Sequence, residues 1–191
     1  MAEVLTSLGV TQWNVCLIGD GSGCKADDPG GWGCTLIDRL SGQREVFWGG
    51  FNKASVYTAE IMAYITAMTW YVGDLGKQAR RQLGQVRICV VTDSQSVANA
   101  GNKAAAATAL TDPAFKDHAV WAQFAVWRSQ GFEFEWKWAD RDEIALNVLA
   151  DALSVYARDA MKRLPEVFQA ELGGSPLAEA QSYNSRETRR C

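Results

Sequence analysis

The chain has 191 residues and a formal net charge of −3 at neutral pH, and this length suits one α/β domain of ordinary size. Hydrophobic residues make up 48% of it, enough for a sizeable core, yet no apolar stretch reaches the roughly 18 residues of a membrane span. The weak negative charge excludes a protein that coats nucleic acid by bulk electrostatics.

Cysteine and histidine usage excludes several other classes of site. The single histidine, His118, has no neighbouring nucleophile, and the five cysteines form no Cys-x-x-Cys pair. A catalytic triad and a zinc site are therefore unsupported. The N-terminus lacks the basic region and long apolar run of a secretory signal. We expect free thiols and a cytoplasmic location.

Three short apolar runs open the chain and are separated by turn signals. They predict β-strands over residues 13–19, 32–37 and 44–49. An Asp-Pro-Gly-Gly sequence at 28–31 lies between the first two runs and a Ser-Gly pair at 41–42 between the last two, and both favour tight reversals. The three strands are therefore expected to form an antiparallel meander.

A helical period then replaces this pattern. Apolar residues recur at the spacing of one helix face, which predicts a helix over residues 57–72. Gly73 and Gly76 are expected to end this helix. The basic segment 77–81 is expected to be a solvated connection to a fourth strand over 86–92.

The second half of the chain predicts three helices and a fifth strand. A short helix over 94–100 is followed by residues 101–108, which fit either a loop or a weak helix. An Asp-Pro pair opens a helix over 112–129. Alternating apolar and charged residues predict a strand over 132–138, and a last helix is expected over 146–163.

This order of elements predicts an α/β fold, a five-stranded mixed sheet covered by helices. We expect an N-terminal extension over 1–12 and a catalytic domain over 13–165. A polar C-terminal tail over 166–191, which contains a Gly-Gly-Ser-Pro sequence, is expected to be partly flexible.

Four acidic residues stand out by their local context. Asp20 and Asp93 each end a predicted strand, whereas Glu60 and Asp151 lie within predicted helices. If the four carboxylates met, they would repel each other, since two unit charges about 4 Å apart cost ~4 kcal/mol at an effective dielectric of 20. Divalent cations relieve that repulsion, so the group predicts a metal site for phosphoryl chemistry. Taken singly, each acid is equally an ordinary turn, cap or surface residue.

The segments around these acids resemble ribonuclease H. The resemblance covers about residues 15–160 and is carried by motifs in the right order: Asp20-Gly21-Ser22 with Asp28-Pro29-Gly30-Gly31-Trp32-Gly33, Thr58-Ala59-Glu60-Ile61-Met62-Ala63, Thr92-Asp93-Ser94-Gln95-Ser96-Val97, and Asn147-Val148-Leu149-Ala150-Asp151-Ala152-Leu153. It implies a ribonuclease H-like fold with helices on both faces of the sheet. It also implies an endonuclease that hydrolyses the RNA strand of an RNA–DNA hybrid with two Mg²⁺ ions, for which Mn²⁺ is a possible substitute.

The resemblance also implies roles for the site residues. Asp20 would bridge both ions, Glu60 and Asp93 would complete the shell of one ion, and Asp151 that of the other. The matching family positions also suggest substrate contacts for Ser22, which is otherwise a turn cap, and for Gln95. Asn147 would either help to orient the site or cap its helix. Arg141, in the loop where many members have a histidine, would either contact a phosphate or belong to a solvated charge run. Gln95 is placed to read the minor groove of the hybrid.

The sequence departs from the family in three places that bear on the site. Family members often have asparagines just before the first-helix glutamate, where they touch the RNA strand, and this chain has Ser55, Val56 and Tyr57 there. Many members carry a histidine in the loop before the last helix, where this chain has Arg141 within an acidic run. The basic, Trp-containing protrusion of some bacterial members is absent. On the fifth strand, Trp136 and Trp138 fit core packing better than a stacking role.

Two other functions fit the same residues less well. One is a structure-specific DNA nuclease on the same fold, and the other is a nucleic-acid-binding module without turnover. The presence of all four acids favours an enzyme. We expect a monomer that binds an RNA–DNA hybrid, uses no cofactor besides the metal, and has no membrane association.

Overall fold

The computed structural model describes residues 12–105 and 118–163, except 24, 26 and 27, together with residues 6, 8 and 9. Its strands are β1 (Val15–Ser22), β2 (Gly30–Asp38), β3 (Arg44–Phe51), β4 (Val86–Thr92) and β5 (Phe132–Trp138). Its helices are α1 (Val56–Tyr71), α2 (Asp74–Leu83), α3 (Gln95–Ala105), α4 (His118–Ser129) and α5 (Ala145–Arg163). A single 3₁₀ turn, Arg141–Glu143, connects β5 to α5.

The five strands form one mixed sheet in the order β3-β2-β1-β4-β5. Strands β1, β2 and β3 pair antiparallel, as the predicted meander requires. Strand β4 joins the other side of β1 in parallel, and β5 pairs in parallel with β4. Strand β1 therefore lies at the centre of the sheet. The parallel strands β1 and β4 have their carboxyl ends side by side.

Helices cover both faces of this sheet, which explains why β1 and β4 are almost continuously apolar rather than alternating. The larger core lies between the sheet and helices α1 to α4, and an aromatic group around Trp136 fills it towards β5. The smaller core lies on the opposite face and continues to Ile144, just before α5. Helix α5 packs its buried residues against β1, β2 and β3.

Helix α1 is the central helix of the larger core. Most of its residues are buried, so it is apolar on nearly every side. It begins at Ser55, whose hydroxyl accepts a hydrogen bond from the backbone N–H of Thr58 at 3.1 Å, the usual N-cap arrangement. This cap fixes the start of the helix five residues before Glu60.

The edge strand β5 is protected by a side chain rather than by another strand. The amide of Asn102 on α3 donates to the carbonyl of Trp136 at 3.0 Å, and its oxygen accepts from the N–H of Trp136 at 3.3 Å. Such pairing satisfies edge groups that would otherwise invite a further strand. Trp136 is buried, as predicted, whereas Trp138 is 44% exposed, so core packing was the wrong prediction for Trp138.

The predicted fold class and all five strands are confirmed, and β4 and β5 have the predicted bounds. The prediction was wrong for residues 77–81, which lie in helix α2 rather than in a solvated connection. Gly76 does not stop a helix. A Cβ at Gly76 would lie 3.0 Å from the ring of Phe132, so the glycine admits that ring into the side of α2.

Other predicted features are only partly covered. Residues 101–105 are helical, while 106–117, and with them the predicted Asp-Pro helix start, lie outside the described residues. The tail beyond 163 and most of the extension before residue 12 also lie outside them, so the domain limits stay predictions. None of the helices in the described part of the chain combines the length and apolar character that a membrane crossing needs.

Glycines on β1 and β2, among them Gly21 and Gly33, let helices approach the sheet backbone directly. A Cβ at Gly21 on β1 would lie 2.3 Å from the backbone nitrogen of Glu60, and a Cβ at Gly33 on β2 would lie 2.5 Å from the carbonyl oxygen of Ala150. These distances are too short for any side chain. Helices α1 and α5 therefore rest on the backbone of β1 and β2 from opposite faces.

We expect Gly21→Ala to destabilise the protein by about 1–3 kcal/mol, the usual cost of overpacking a close-packed site. The added methyl group would push α1 away from β1 at Glu60. Urea unfolding of the metal-free chain would measure the loss. Gly23→Ala is the matched control, because a Cβ there would lie 3.3 Å from the nearest atom. Equal stability of the two variants would contradict the close approach.

Candidate metal centre

Three of the four predicted acids meet at the edge of the sheet where β1 and β4 end. The parallel register pairs Ile18 with Val91, so Asp20 and Asp93, two residues further along each strand, arrive at the same place. One carboxylate oxygen from each of Asp20, Glu60 and Asp93 lies within 4.8 Å of the others. The predicted convergence of these three residues is present in the structure.

The fourth acid, Asp151, lies outside this tight group and is joined to it by a cation. It belongs to α5 and is partly exposed, with 31% of its side chain accessible. The Arg141 guanidinium bridges the groups: its Nε lies 2.8 Å from Asp93 Oδ2 and its Nη1 3.2 Å from Asp151 Oδ1. Its Nη2 lies 3.9 Å from Asp20 Oδ2.

The position of Glu60 is fixed by its neighbours on α1 and β4. Tyr64, one helical turn further along α1, donates its hydroxyl to the carbonyls of Gly19 at 2.7 Å and Val91 at 2.9 Å. The helix is thereby tied to both strands that carry the aspartates. Thr92 donates its hydroxyl to Glu60 Oε2 at 3.3 Å. These contacts fix the position of Glu60 relative to both strands.

Asp20 is almost completely buried, and neither of its carboxylate oxygens has a hydrogen-bond partner among the described residues. Its pKa is raised from 3.8 to about 7, first by burial and then by the negative charge of Asp93. The pKa of Glu60 is raised as well, again mainly by burial and then by the charge of Asp20. Without a bound cation, these two carboxyl groups therefore keep their protons to a higher pH than free carboxyl groups do, and ionising them here has an electrostatic cost.

Arg141 is presented by a small structured turn. Asp140 caps the 3₁₀ turn Arg141–Glu143, and the side chain of Glu143 returns to the backbone N–H of Asp140. The hydrogen bond to Asp93 raises the pKa of the Arg141 guanidinium above its ordinary value. The turn fixes the Arg141 backbone, while half of its side chain remains exposed.

The arrangement fits a divalent cation. Carboxylate oxygens are the ligands that Mg²⁺ and Mn²⁺ prefer, and the unpartnered oxygens of buried Asp20 face the carboxylates of Glu60 and Asp93. Asp20, Glu60 and Asp93 would hold one ion, and Asp20 with Asp151 would contribute to a second. A bound cation would remove the repulsion that raises the pKa of Asp20.

The predicted substrate contacts lie in different environments. Gln95 is exposed at the start of α3, with its amide 3.4 Å from Asn99 Oδ1. Ser22 is buried and donates its hydroxyl to the carbonyl of Ser154 at 2.7 Å, which ties β1 to α5. Asn147 is also buried, and its amide has no partner among the described residues. Substrate contact stays a prediction for all three.

Sequence reasoning did not place two residues, Tyr64 and Trp138, among those that support the acids. Tyr64 could have been noticed, because it lies four residues after Glu60 and therefore on the same face of α1. Trp138 donates its indole N–H to the carbonyl of Asp93 at 2.9 Å, so the half-exposed ring lies beside the acids. A hydrogen bond from a side chain to a distant backbone carbonyl leaves no pattern in the sequence.

The sheet order and the helices on both faces define a ribonuclease H-like fold. Solved structures confirm the fold. Similar structures include the N-terminal RNase H domain of a Mycobacterium tuberculosis protein, fused to maltose-binding protein, with 19% identity, a TM-score of 0.55, and coverage of 80% of this chain and 98% of that chain. RNase H1 of the archaeon Halobacterium salinarum has 24% identity and a TM-score of 0.50, with 76% and 98% covered.

A third similar structure is LC11-RNase H1 in complex with an RNA/DNA hybrid, at 18% identity and a TM-score of 0.54, over 76% of this chain and 97% of that chain. The sequence itself matches no protein-family model and no curated protein. The resemblance noted in the sequence is therefore confirmed as a likeness to RNase H1 structures. At these identities the likeness establishes the fold, and the activity must be argued from the site.

We expect the metal-free chain to lose stability as the pH rises from about 4 to about 7. Between 3.8 and about 7, folded Asp20 keeps a proton that the unfolded chain has released, so its favourable contribution is complete below this window and lost as the pH rises through it. Asp20→Asn should weaken this dependence and raise the melting temperature above pH 7 by several degrees. Differential scanning calorimetry with a chelator would measure both effects.

Asp159→Asn is the control for this experiment, since Asp159 pairs with Arg158 and Lys162 on α5 rather than with the acid group. It removes one negative charge elsewhere and should keep the pH dependence of the parent chain. A flat stability profile for the parent chain over the same window would mean that Asp20 is not held at an electrostatic cost.

Proposed function

We propose that this protein is a metal-dependent endoribonuclease that hydrolyses the RNA strand of RNA–DNA hybrids. The observation that carries the proposal is the meeting of Asp20, Glu60 and Asp93 within 4.8 Å, at the end of the sheet where α/β proteins usually build their sites. Two further facts support it: buried Asp20 has no hydrogen-bond partner within the described residues, and a protein of the same fold was solved with an RNA/DNA hybrid.

The four acids have separable tasks in this proposal. Buried Asp20, held between the other carboxylates, would be the shared ligand, while Glu60 and Asp93 would complete one side of the site and Asp151 the other. A pair of Mg²⁺ ions, or of Mn²⁺ ions, would supply activation of the attacking water and charge stabilisation of the leaving 3′ oxygen. Tyr64 and Thr92 would hold Glu60 in place, so that little reorganisation accompanies binding.

Substrate selection would depend on the groups exposed around the acids. Gln95 lies exposed two residues after Asp93 and would face the minor groove, where the 2′-hydroxyls distinguish the RNA strand. Arg141 would contact a phosphate near the cleaved bond, as guanidinium groups commonly do. The weak overall charge favours recognition by a few local contacts rather than by a broad basic surface.

The alternatives are separated by substrate rather than by site. A structure-specific DNA nuclease would use the same acids but would not require a 2′-hydroxyl. A binding module without turnover would have no reason to hold an unpartnered buried aspartate beside two other carboxylates, given the cost of that burial. A cytoplasmic monomer belongs to the same proposal and fits the buried free thiols of Cys16, Cys34 and Cys89.

We expect Asp20→Asn and Asp93→Asn each to reduce hybrid cleavage by about 100-fold or more, the scale of losing one essential electrostatic group in an active site. The measurement is single-turnover cleavage of a labelled hybrid in Mg²⁺, with circular dichroism to verify folding. Duplex RNA, duplex DNA and single-stranded RNA of the same sequence would be assayed in parallel. The hybrid should be cleaved and the other three spared.

Asp159→Asn is again the matched control and should cleave at the parent rate, since Asp159 lies away from the acid group. Near-parent turnover by either site variant would contradict the assignment of the metal ligands. Cleavage of duplex DNA in preference to the hybrid would instead favour the DNA nuclease. Binding of the hybrid without cleavage in both Mg²⁺ and Mn²⁺ would favour the binding module.

Removal of residues 174–191, which lie outside the described residues, should leave hybrid cleavage within about twofold of the parent rate. The reason is that the acids and their supports all lie in elements that end by Arg163, and polar tails of this composition rarely contribute to a packed site. The same single-turnover assay, with a melting curve for each chain, would measure it. A larger loss at unchanged stability would assign the tail a part in substrate binding.

A further inference from the structure

The guanidinium of Arg141 contacts carboxylates on three different elements of the fold. It reaches Asp93 after β4 at 2.8 Å, Asp151 on α5 at 3.2 Å and Asp20 on β1 at 3.9 Å. Within the described part of the chain, Glu60 is not among its ion-pair partners. The cation therefore lies between Asp93 and Asp151 and neutralises part of the charge of the site.

We propose that Arg141 is an internal counter-cation that competes with a divalent metal ion for these carboxylates. The proposal rests on the proposed function, in that it assumes the acids hold metal. An ion held by Asp20 and Asp151 would need the carboxylate oxygens that Arg141 contacts. Arg141 contacts Asp20 and Asp151, the two residues that would hold the second ion, whereas Glu60 of the group formed by Asp20, Glu60 and Asp93 is not among its ion-pair partners in the described part of the chain. The free protein thus binds its first ion more readily than its second.

The competition is physically reasonable because the pairing is reversible. Half of the Arg141 side chain is exposed, compared with 1% for Asp20 and 11% for Asp93, and exposed ion pairs are weakly held. The capping box keeps the backbone of the 3₁₀ turn in place, so the side chain can leave the carboxylates while the loop keeps its shape. A divalent ion, with twice the charge, replaces it.

Displacement leaves the guanidinium beside the site and without its carboxylate partners. A phosphate that arrives with the nucleic acid would then be its natural partner, since arginine pairs well with phosphate oxygens. Binding of the second ion and of the substrate phosphate would therefore be coupled. The ion frees the guanidinium that the phosphate needs, and the phosphate stabilises the guanidinium that the ion has displaced. Arg141 links the two events through a single positive charge.

The test measures Mn²⁺ binding to the full chain without nucleic acid, by calorimetry and by the electron paramagnetic resonance signal of free Mn²⁺. Arg141→Gln should tighten binding by about 30-fold, as expected when a unit positive charge about 4 Å from a divalent ion is removed in a water-like dielectric, and should raise the number of ions bound. Arg141→Lys, which keeps the charge, should behave more like the parent chain.

Arg87→Gln is the matched control, since Arg87 pairs with Glu133 at the other end of the parallel strands and loses the same charge. It should leave Mn²⁺ binding unchanged. Unchanged or weaker binding to Arg141→Gln would overturn the proposal, as would equal tightening in Arg87→Gln. If Arg141→Gln bound Mn²⁺ more tightly but the parent chain cleaved no hybrid, the competition would be upheld and the proposed function contradicted. Asp20→Asn should abolish tight binding, and if it did not, both proposals would fail.

Discussion

Repulsion between carboxylates gathered at the end of β1 and β4 is the constraint on which this structure depends. Burying charge without a partner is costly, and the fold concentrates that cost on Asp20, whose oxygens find no donor among the described residues. Rigid supports keep the acids together all the same. Tyr64 ties α1 to both strands, Thr92 holds Glu60, and glycines on β1 and β2 let the flanking helices contact the sheet backbone. These packing and hydrogen-bond contacts keep the carboxyl groups close together although they repel each other when ionised.

The strands were largely predictable because their signals are local. Apolar runs bounded by Gly, Pro and Asp define β1 to β5, and the helical period defines α1 and α5. Helix α2 was not predictable in the same way. Its basic residues suggested a solvated segment and its glycine suggested a break, whereas Phe132, far along the chain, packs where a side chain at Gly76 would be. Only the folded structure brings that ring to the helix.

The site was predictable in its composition and less so in its contacts. Asp20 and Asp93 could be placed together because both follow strands expected to be neighbours, and Glu60 joined them through its motif. The sequence could not indicate that Arg141 would bind three of the acids, since a charge run in a loop looks the same whether it faces solvent or the site. Nor could it indicate the burial of Asn147 or the hydrogen bond from Trp138 to Asp93. These depend on how the loop after β5 folds back over β4.

The glycine contacts have a consequence for how such a protein can change over time. Where Gly21 meets α1 and Gly33 meets α5, main chain touches main chain, and no side chain lies between them to set the spacing. Substitutions elsewhere in the hydrophobic interior can alter its shape without altering the contacts of Gly21 with α1 and of Gly33 with α5. Substitutions in the interior therefore need not move the acidic side chains relative to each other. This chain shares fewer than a quarter of its residues with similar structures, and its acids still meet.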